Sequence, residues 1–137
     1  MTMTAWAYLP NAKHIDAVLA DVKARPEAWT TARGAAGVTA WDAAWAAAGD
    51  AVRGAVLDAA RDAARDAAWD AAWGAARDAA RDAIAALVTW DSSADLLDCT
   101  PDVLRTMIDL AEPPVCHQAA LLLPYAIVRS NAKQEVT

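Results

Sequence analysis

From Thr39 to Thr89 the chain is written in four-residue units: WDAA, WAAA, GDAV, RGAV, LDAA, RDAA, RDAA, WDAA, WGAA, RDAA, RDAI and AALV. Alanine has the best helix propensity, no proline interrupts the run, and Asp and Arg recur at spacings that permit local ion pairs, so this segment folds as helix. It predicts one helix of about 50 residues, roughly 75 Å long, or the same helix broken once near a glycine. The expected fold class is all-α: a helical bundle built around this long or once-broken alanine-rich helix.

A period of four overshoots the α-helix, so a row of every fourth residue drifts by about 40° per unit. The tetrad therefore reads as a rule for making helix, and the bulky residues suggest a different rule for packing it. With Trp41 and Trp45 as seam positions of a heptad, the seam continues through Ala48, Val52, Ala55, Ala59, Asp62, Asp66, Trp69, Trp73, Ala76, Ala80, Ala83, Leu87 and Trp90. All but the two aspartates are apolar, the signature of a left-handed coiled-coil seam. Four and seven meet at 28, and WDAAWAAAGDAVRGA from Trp41 recurs as WDAAWGAARDAARDA from Trp69. Slippage and duplication of alanine-rich DNA would produce the same period.

Asp62 and Asp66, flanked by Arg61 and Arg65, interrupt the seam between its two Trp pairs. Burying either carboxylate unpaired would cost several kcal/mol. One expectation is an antiparallel homodimer with its twofold axis near residue 64, in which Asp62 faces Asp66 and the arginines reach across. The other is intramolecular packing, with the terminal helices covering the seam and the aspartates marking a wet waist. The candidate interface comprises Trp41, Trp45, Arg61, Asp62, Arg65, Asp66, Trp69 and Trp73.

The flanks are less biased, and the 137 residues form a single expected domain. Residues 12–36 predict a helical hairpin. Asn11 is a candidate N-cap, Ile15, Val18, Leu19 and Val22 share a face, and Pro26 opens a second helix carrying Trp29 and fading at Gly34 and Gly37. Thr39 would cap the tetrad segment, 39–89. Residues 93–129 predict the C-terminal helices. Ser92 and Ser93 hold a short turn, and Thr100-Pro101-Asp102 starts a helix with Val103, Leu104, Met107, Ile108 and Leu110 that stops before Pro113-Pro114. A nearly all-apolar helix from Pro114 to Arg129 then kinks or stops at Pro124. The tail, 130–137, is expected to fray.

The net charge of −6 opposes direct nucleic-acid binding, which needs clustered Lys and Arg. No apolar run is long enough to span a membrane and no signal peptide is visible, so a soluble, cytoplasmic protein is expected. Cys99 and Cys116 lack metal-ligand spacing and read as reduced thiols. His14 and His117 have no carboxylate or thiol four residues away, and Cys116 and His117 point about 100° apart on a helix. No catalytic, cofactor or metal residues are therefore assigned. A small enzyme or metal protein would need the fold to gather His14, Cys116 and His117. Asp58, Asp62, Asp66 and Asp70 recur about every 6 Å along a helix, a spacing near that of nucleic-acid phosphates, which admits an acidic DNA-mimic inhibitor.

The stretch from Trp41 to Thr89, with its AWDAAW and AARDAARDAAWDAAWGAARDAARDA, resembles small Ala/Trp/Asp-rich helical proteins of high-GC actinobacteria and their phages. Some predicted immunity proteins of toxin systems share this texture. The resemblance implies a phage or accessory-genome protein that acts by binding a host or toxin protein, and it transfers no site residue. The expected function is a non-enzymatic helical interaction protein with an unidentified protein partner.

Overall fold

The computed structural model describes residues 4–37, 41–51 and 55–136. The described residues are helical apart from turns and short links, and they pack into one bundle: α1 Ala12–Ala24, α2 Pro26–Ala36, α3 Trp41–Ala51, α4 Ala55–Ala71, α5 Gly74–Thr89, a 3-10 turn Asp91–Leu96, α6 Pro101–Leu110 and α7 Val115–Val136. No helix among the described residues is long and apolar enough to cross a membrane.

Local signals explain most boundaries. Pro26 stands in the first turn of α2, and Gly37 ends that helix in the left-handed conformation, φ 53°. Thr100 accepts from the Val103 amide at 3.3 Å, and Pro101 opens α6. Asn11 does something else. It is buried, makes no side-chain cap to α1, and donates its amide to the carbonyls of Leu87, Trp90 and Asp91 at 3.0–3.2 Å. The C-terminal end of α5 is thus satisfied by the residue expected to cap α1. Thr39 lies outside the described residues.

The tetrad segment does not form a single rod, because it breaks between α4 and α5. Residues 52–54 lie outside the described set, and the break between α4 and α5 falls at Ala72 and Trp73. Trp73 is extended (φ −124°, ψ 157°) and Gly74 is left-handed at φ 55°, so the chain turns a sharp corner and α5 runs back along α4.

This breaking changes what the tetrad can do. In the described part of the segment a row of buried alanines recurs at every fourth residue, Ala44 and Ala48 on α3, Ala60, Ala64 and Ala68 on α4, Ala72 at the corner, Ala76 and Ala80 on α5, with its further buried alanines only on α5. Drift of about 40° per tetrad is harmless when each helix holds no more than four of them. The four-residue beat is therefore a packing rule on α3 and α4 as well as the helix rule, whereas on α5 the expected seam positions Ala76, Ala80, Ala83 and Leu87 are all buried. The heptad seam is not the buried stripe on α4, where Ala59, Asp62, Asp66 and Trp69 are all exposed.

The core is built around α5 and α7. Ala83 to Val88 are buried without interruption on α5, as are Ala119 to Leu123 on α7; α2 and α3 lean on both helices, α1 and α4 on α5, and α6 on α7. Helices apolar all round belong at such a centre. α6 sits at the edge, burying Leu104 while Val103 and Leu110 face outward.

Pro124 neither stops nor ends α7. A helical proline leaves the carbonyl four residues earlier without its donor, here Ala120, and the indole Nε1 of Trp41 donates to that oxygen at 2.9 Å. The helix continues to Val136, so the tail expected to fray from Ser130 is helical. Arg129 anchors this part by donating to the Leu97 carbonyl and, at 3.3 Å, to Asp98.

Candidate interaction surface of the tetrad helices

With the fourth-position alanines turned inward, the other tetrad positions acquire fixed places. The first position, Trp or Arg, lies at the flank, where Arg61, Arg65, Arg77 and Arg81 are half-buried along the α4/α5 groove. The second position, Asp, points to solvent on α4. Asp58, Asp62, Asp66 and Asp70 are all exposed, Asp62 to 63% of its side chain. Arg61 reaches Asp58 at 3.5 Å, and Arg65 reaches Asp62 at 3.8 Å, both one turn away on the same helix. Such exposed pairs are worth about 0.5 kcal/mol or less. The Nε atoms of Arg61 and Arg65 are out of solvent and without an acceptor among the described residues. The guanidinium stems are folded over alanine, and the carboxylates form the outer row.

The eight residues expected at an interface separate into two groups. Arg61, Asp62, Arg65, Asp66, Trp69 and Trp73 lie along α4 and its corner, with Trp69 52% and Trp73 85% exposed. The Arg77 guanidinium stacks over the Trp69 ring, 3.5 Å from its centroid, and neither indole nitrogen has a hydrogen-bond partner among the described residues. Trp41 and Trp45 are instead half-buried inside the bundle. Trp41 donates to Ala120 as described and lies under Arg33, 4.4 Å from the ring centroid.

Trp45 leads to a cluster that the sequence did not single out. Its Nε1 donates to Oδ1 of Asp82 at 2.7 Å. Asp82 holds the same tetrad position as the outer aspartates, yet it is only 1% exposed, because it lies on the second half of α5, which is covered on all sides. Arg33 on α2 brings Nε to 3.4 Å from Asp82 Oδ2 and Nη1 to 3.4 Å from Asp78, and Arg81 lies 3.6 Å from Asp78. Burial pushes the Asp82 carboxyl up to about 6, against the opposing pull of Arg33 and the Trp45 hydrogen bond. Burial, and then repulsion from Arg65 across the groove, lowers Arg81. Arg33, Trp45, Asp78, Arg81 and Asp82 line a cleft of about 90 Å³, room for a few waters beside Asp82 Oδ2, which lacks a hydrogen-bond donor among the described residues. Chemically the cluster is a clamp that ties α2 and α3 to α5. Its one sequence signal was a tetrad aspartate displaced into the apolar end of the segment, next to Ile84.

His14 stands in the first turn of α1, and Cys116 and His117 in that of α7, all half-buried. No hydrogen bond joins them among the described residues. Cys99 and Cys116 are free thiols. No group of three or more His, Cys, Asp and Glu side chains among the described residues could hold a metal ion. No protein-family model, curated protein or solved structure matches the chain.

Proposed function

We propose that the chain is a non-enzymatic interaction protein that binds a macromolecular partner through the outward side of α4 and its corner. The supporting observation is the pairing of two bare indoles, Trp69 and Trp73, with a row of four exposed aspartates that have no role in the core. Exposed aromatic area of this kind marks contact surfaces, and tryptophan is enriched where binding energy concentrates. The partner contacts the indoles with apolar surface and the Asp58–Asp70 row with basic side chains. A host protein in the accessory-genome setting implied by the resemblance, or a toxin held by an immunity-type protein, fits that chemistry.

The folding-back of Arg61 and Arg65 favours a second reading, an acidic mimic of nucleic acid. The negative charge is outermost and recurs about every 6 Å, so a nucleic-acid-binding protein is the partner class with the matching charge. Affinity capture from an actinobacterial lysate tests both readings. Trp69→Ala with Trp73→Ala should abolish capture of the specific partner. Asp-to-Asn changes at 58, 62, 66 and 70 should weaken it and remove its salt dependence. Unchanged capture by both variants would refute the proposed face.

A further inference from the structure

We infer that the Ala72–Trp73 corner is a hinge through which two copies of this chain exchange halves, with α1–α4 of each packing on α5–α7 of the other. This rests on the reading of Trp69 and Trp73 as contact surface, and it names what covers them.

The 28-residue duplication supplies the comparison. Residues 41–51, WDAAWAAAGDA, and residues 69–79, WDAAWGAARDA, differ only at 46/74 and 49/77. The first stretch is one unbroken helix, α3. The second is bent, and the residue that bends it, Gly74 at φ 55°, stands where the first copy has Ala46. The same pattern therefore has a straight form within this very chain, and the corner depends on a glycine conformation that alanine rarely adopts.

Apart from the Arg77 guanidinium over the Trp69 ring, little holds the outside of the corner shut. A Cβ on Gly74 would meet nothing within 4 Å, and Trp73 is the most exposed of the large apolar side chains described. Straightened, α4 and α5 would join as one helix from Ala55 to Thr89, about 50 Å long. Trp69 and Trp73 would then share a face one turn apart, at the crossing of the two long helices, where the indoles of one copy meet those of the other. The contacts of α1, α2, α3 and α4 with α5 and α7 are remade between copies, so exchange gives up none of the core and adds the covered indoles. Two-residue hinges between well-formed elements favour this kind of exchange.

Sedimentation equilibrium on the full chain tests the inference, using the wild type, Gly74→Ala, and a variant with a short Gly-Ser insertion between Ala72 and Trp73. The wild type should dimerise reversibly as concentration rises, with tryptophan emission shifting to the blue. Gly74→Ala disfavours the corner and favours the straight helix in both chains, so it should tighten the dimer by about a hundredfold or more. The insertion should leave monomer only. Trp69→Ala with Trp73→Ala should weaken the dimer and remove the blue shift. A Gly74→Ala protein that is helical but monomeric at several hundred micromolar would overturn the inference, as would one that cannot fold, because the straight form would then be unreachable. A dimer that survives the insertion would also overturn it, being face-to-face association without exchange. Partner capture that needs Trp69 and Trp73 in a strictly monomeric protein would sink the exchange and leave the proposed function standing.

Discussion

The two Trp pairs of the repeat, Trp41/Trp45 and Trp69/Trp73, begin identical WDAAW pentads and end in opposite environments. The first pair is drawn into the bundle because each indole finds a buried acceptor: the Ala120 carbonyl freed by Pro124, and Oδ1 of Asp82, whose other oxygen faces Arg33. The second pair stands over alanine and solvent, with Arg77 stacked on one ring. Local sequence determined helix through the first pentad and up to Ala71 of the second, which breaks at Trp73. The acceptors on neighbouring helices, Asp82 on α5 and Ala120 on α7, determined which pair went in, so in a chain this repetitive the distinguishing information lies in what each pentad packs against.

The comparison can be broken most directly by truncation. Trp45→Ala should cost about 3 kcal/mol in urea unfolding, since it removes packing and leaves Asp82 without its donor, whereas Trp73→Ala should change stability by no more than about 0.5 kcal/mol. Similar losses at the two positions would show that the pairs are not distinguished as described. A pH series sharpens the Asp82 half. Its folded carboxyl, raised to about 6, holds a proton to higher pH than the unfolded chain does. Folding stability from this group therefore falls as pH rises between about 4 and 6, by roughly 2 to 3 kcal/mol in total. Asp82→Asn should flatten that part of the profile, and an unchanged slope would count against the assignment.

A double-mutant cycle tests the other indole. Trp41→Phe deprives Ala120 of its donor in the wild type, but in a Pro124→Ala background the residue 124 amide can supply one. The two changes should couple by about 1 kcal/mol, and additivity would show that Trp41 does not serve the proline. The smallest effect belongs to the outer row. Asp62→Asn and Asp66→Asn should each shift stability by about 0.5 kcal/mol or less, and a larger loss would mean that the row has a structural task.

Much of the helical layout was legible because its signals are local: Pro26, Thr100-Pro101 and the apolar face of Ile15, Val18 and Val22. The facing of the tetrad helices was not. A seven-residue seam matches an alanine-rich chain almost anywhere, and the merit of a four-residue row depends on how often the helix is cut. The cut at Trp73-Gly74 lies in a run whose twin is continuous, so one glycine among alanines carried the whole signal. Asn11 reads as a cap for its own helix, but three carbonyls some eighty residues away had the stronger claim on its amide. Of the candidate surface, the exposure of Trp69 and Trp73 follows from the inward facing of the Ala60–Ala72 row, which no local signal announces. Asp82 carries only a faint signal, because its tetrad, RDAI, departs from the neighbouring RDAA by a single residue.

The inward row of alanines has one further consequence. Sliding α4 along its neighbours by four residues would lay alanine on alanine again, so close packing holds these helices together without telling them where to stop. Position along the axis must come from side chains that occur at one place only. The two indole nitrogens of α3, each matched to a single oxygen, act as index marks on an otherwise unnumbered scale. A protein built from so repetitive a text keeps its alignment through a few unrepeated atoms, and those atoms have the least freedom to change.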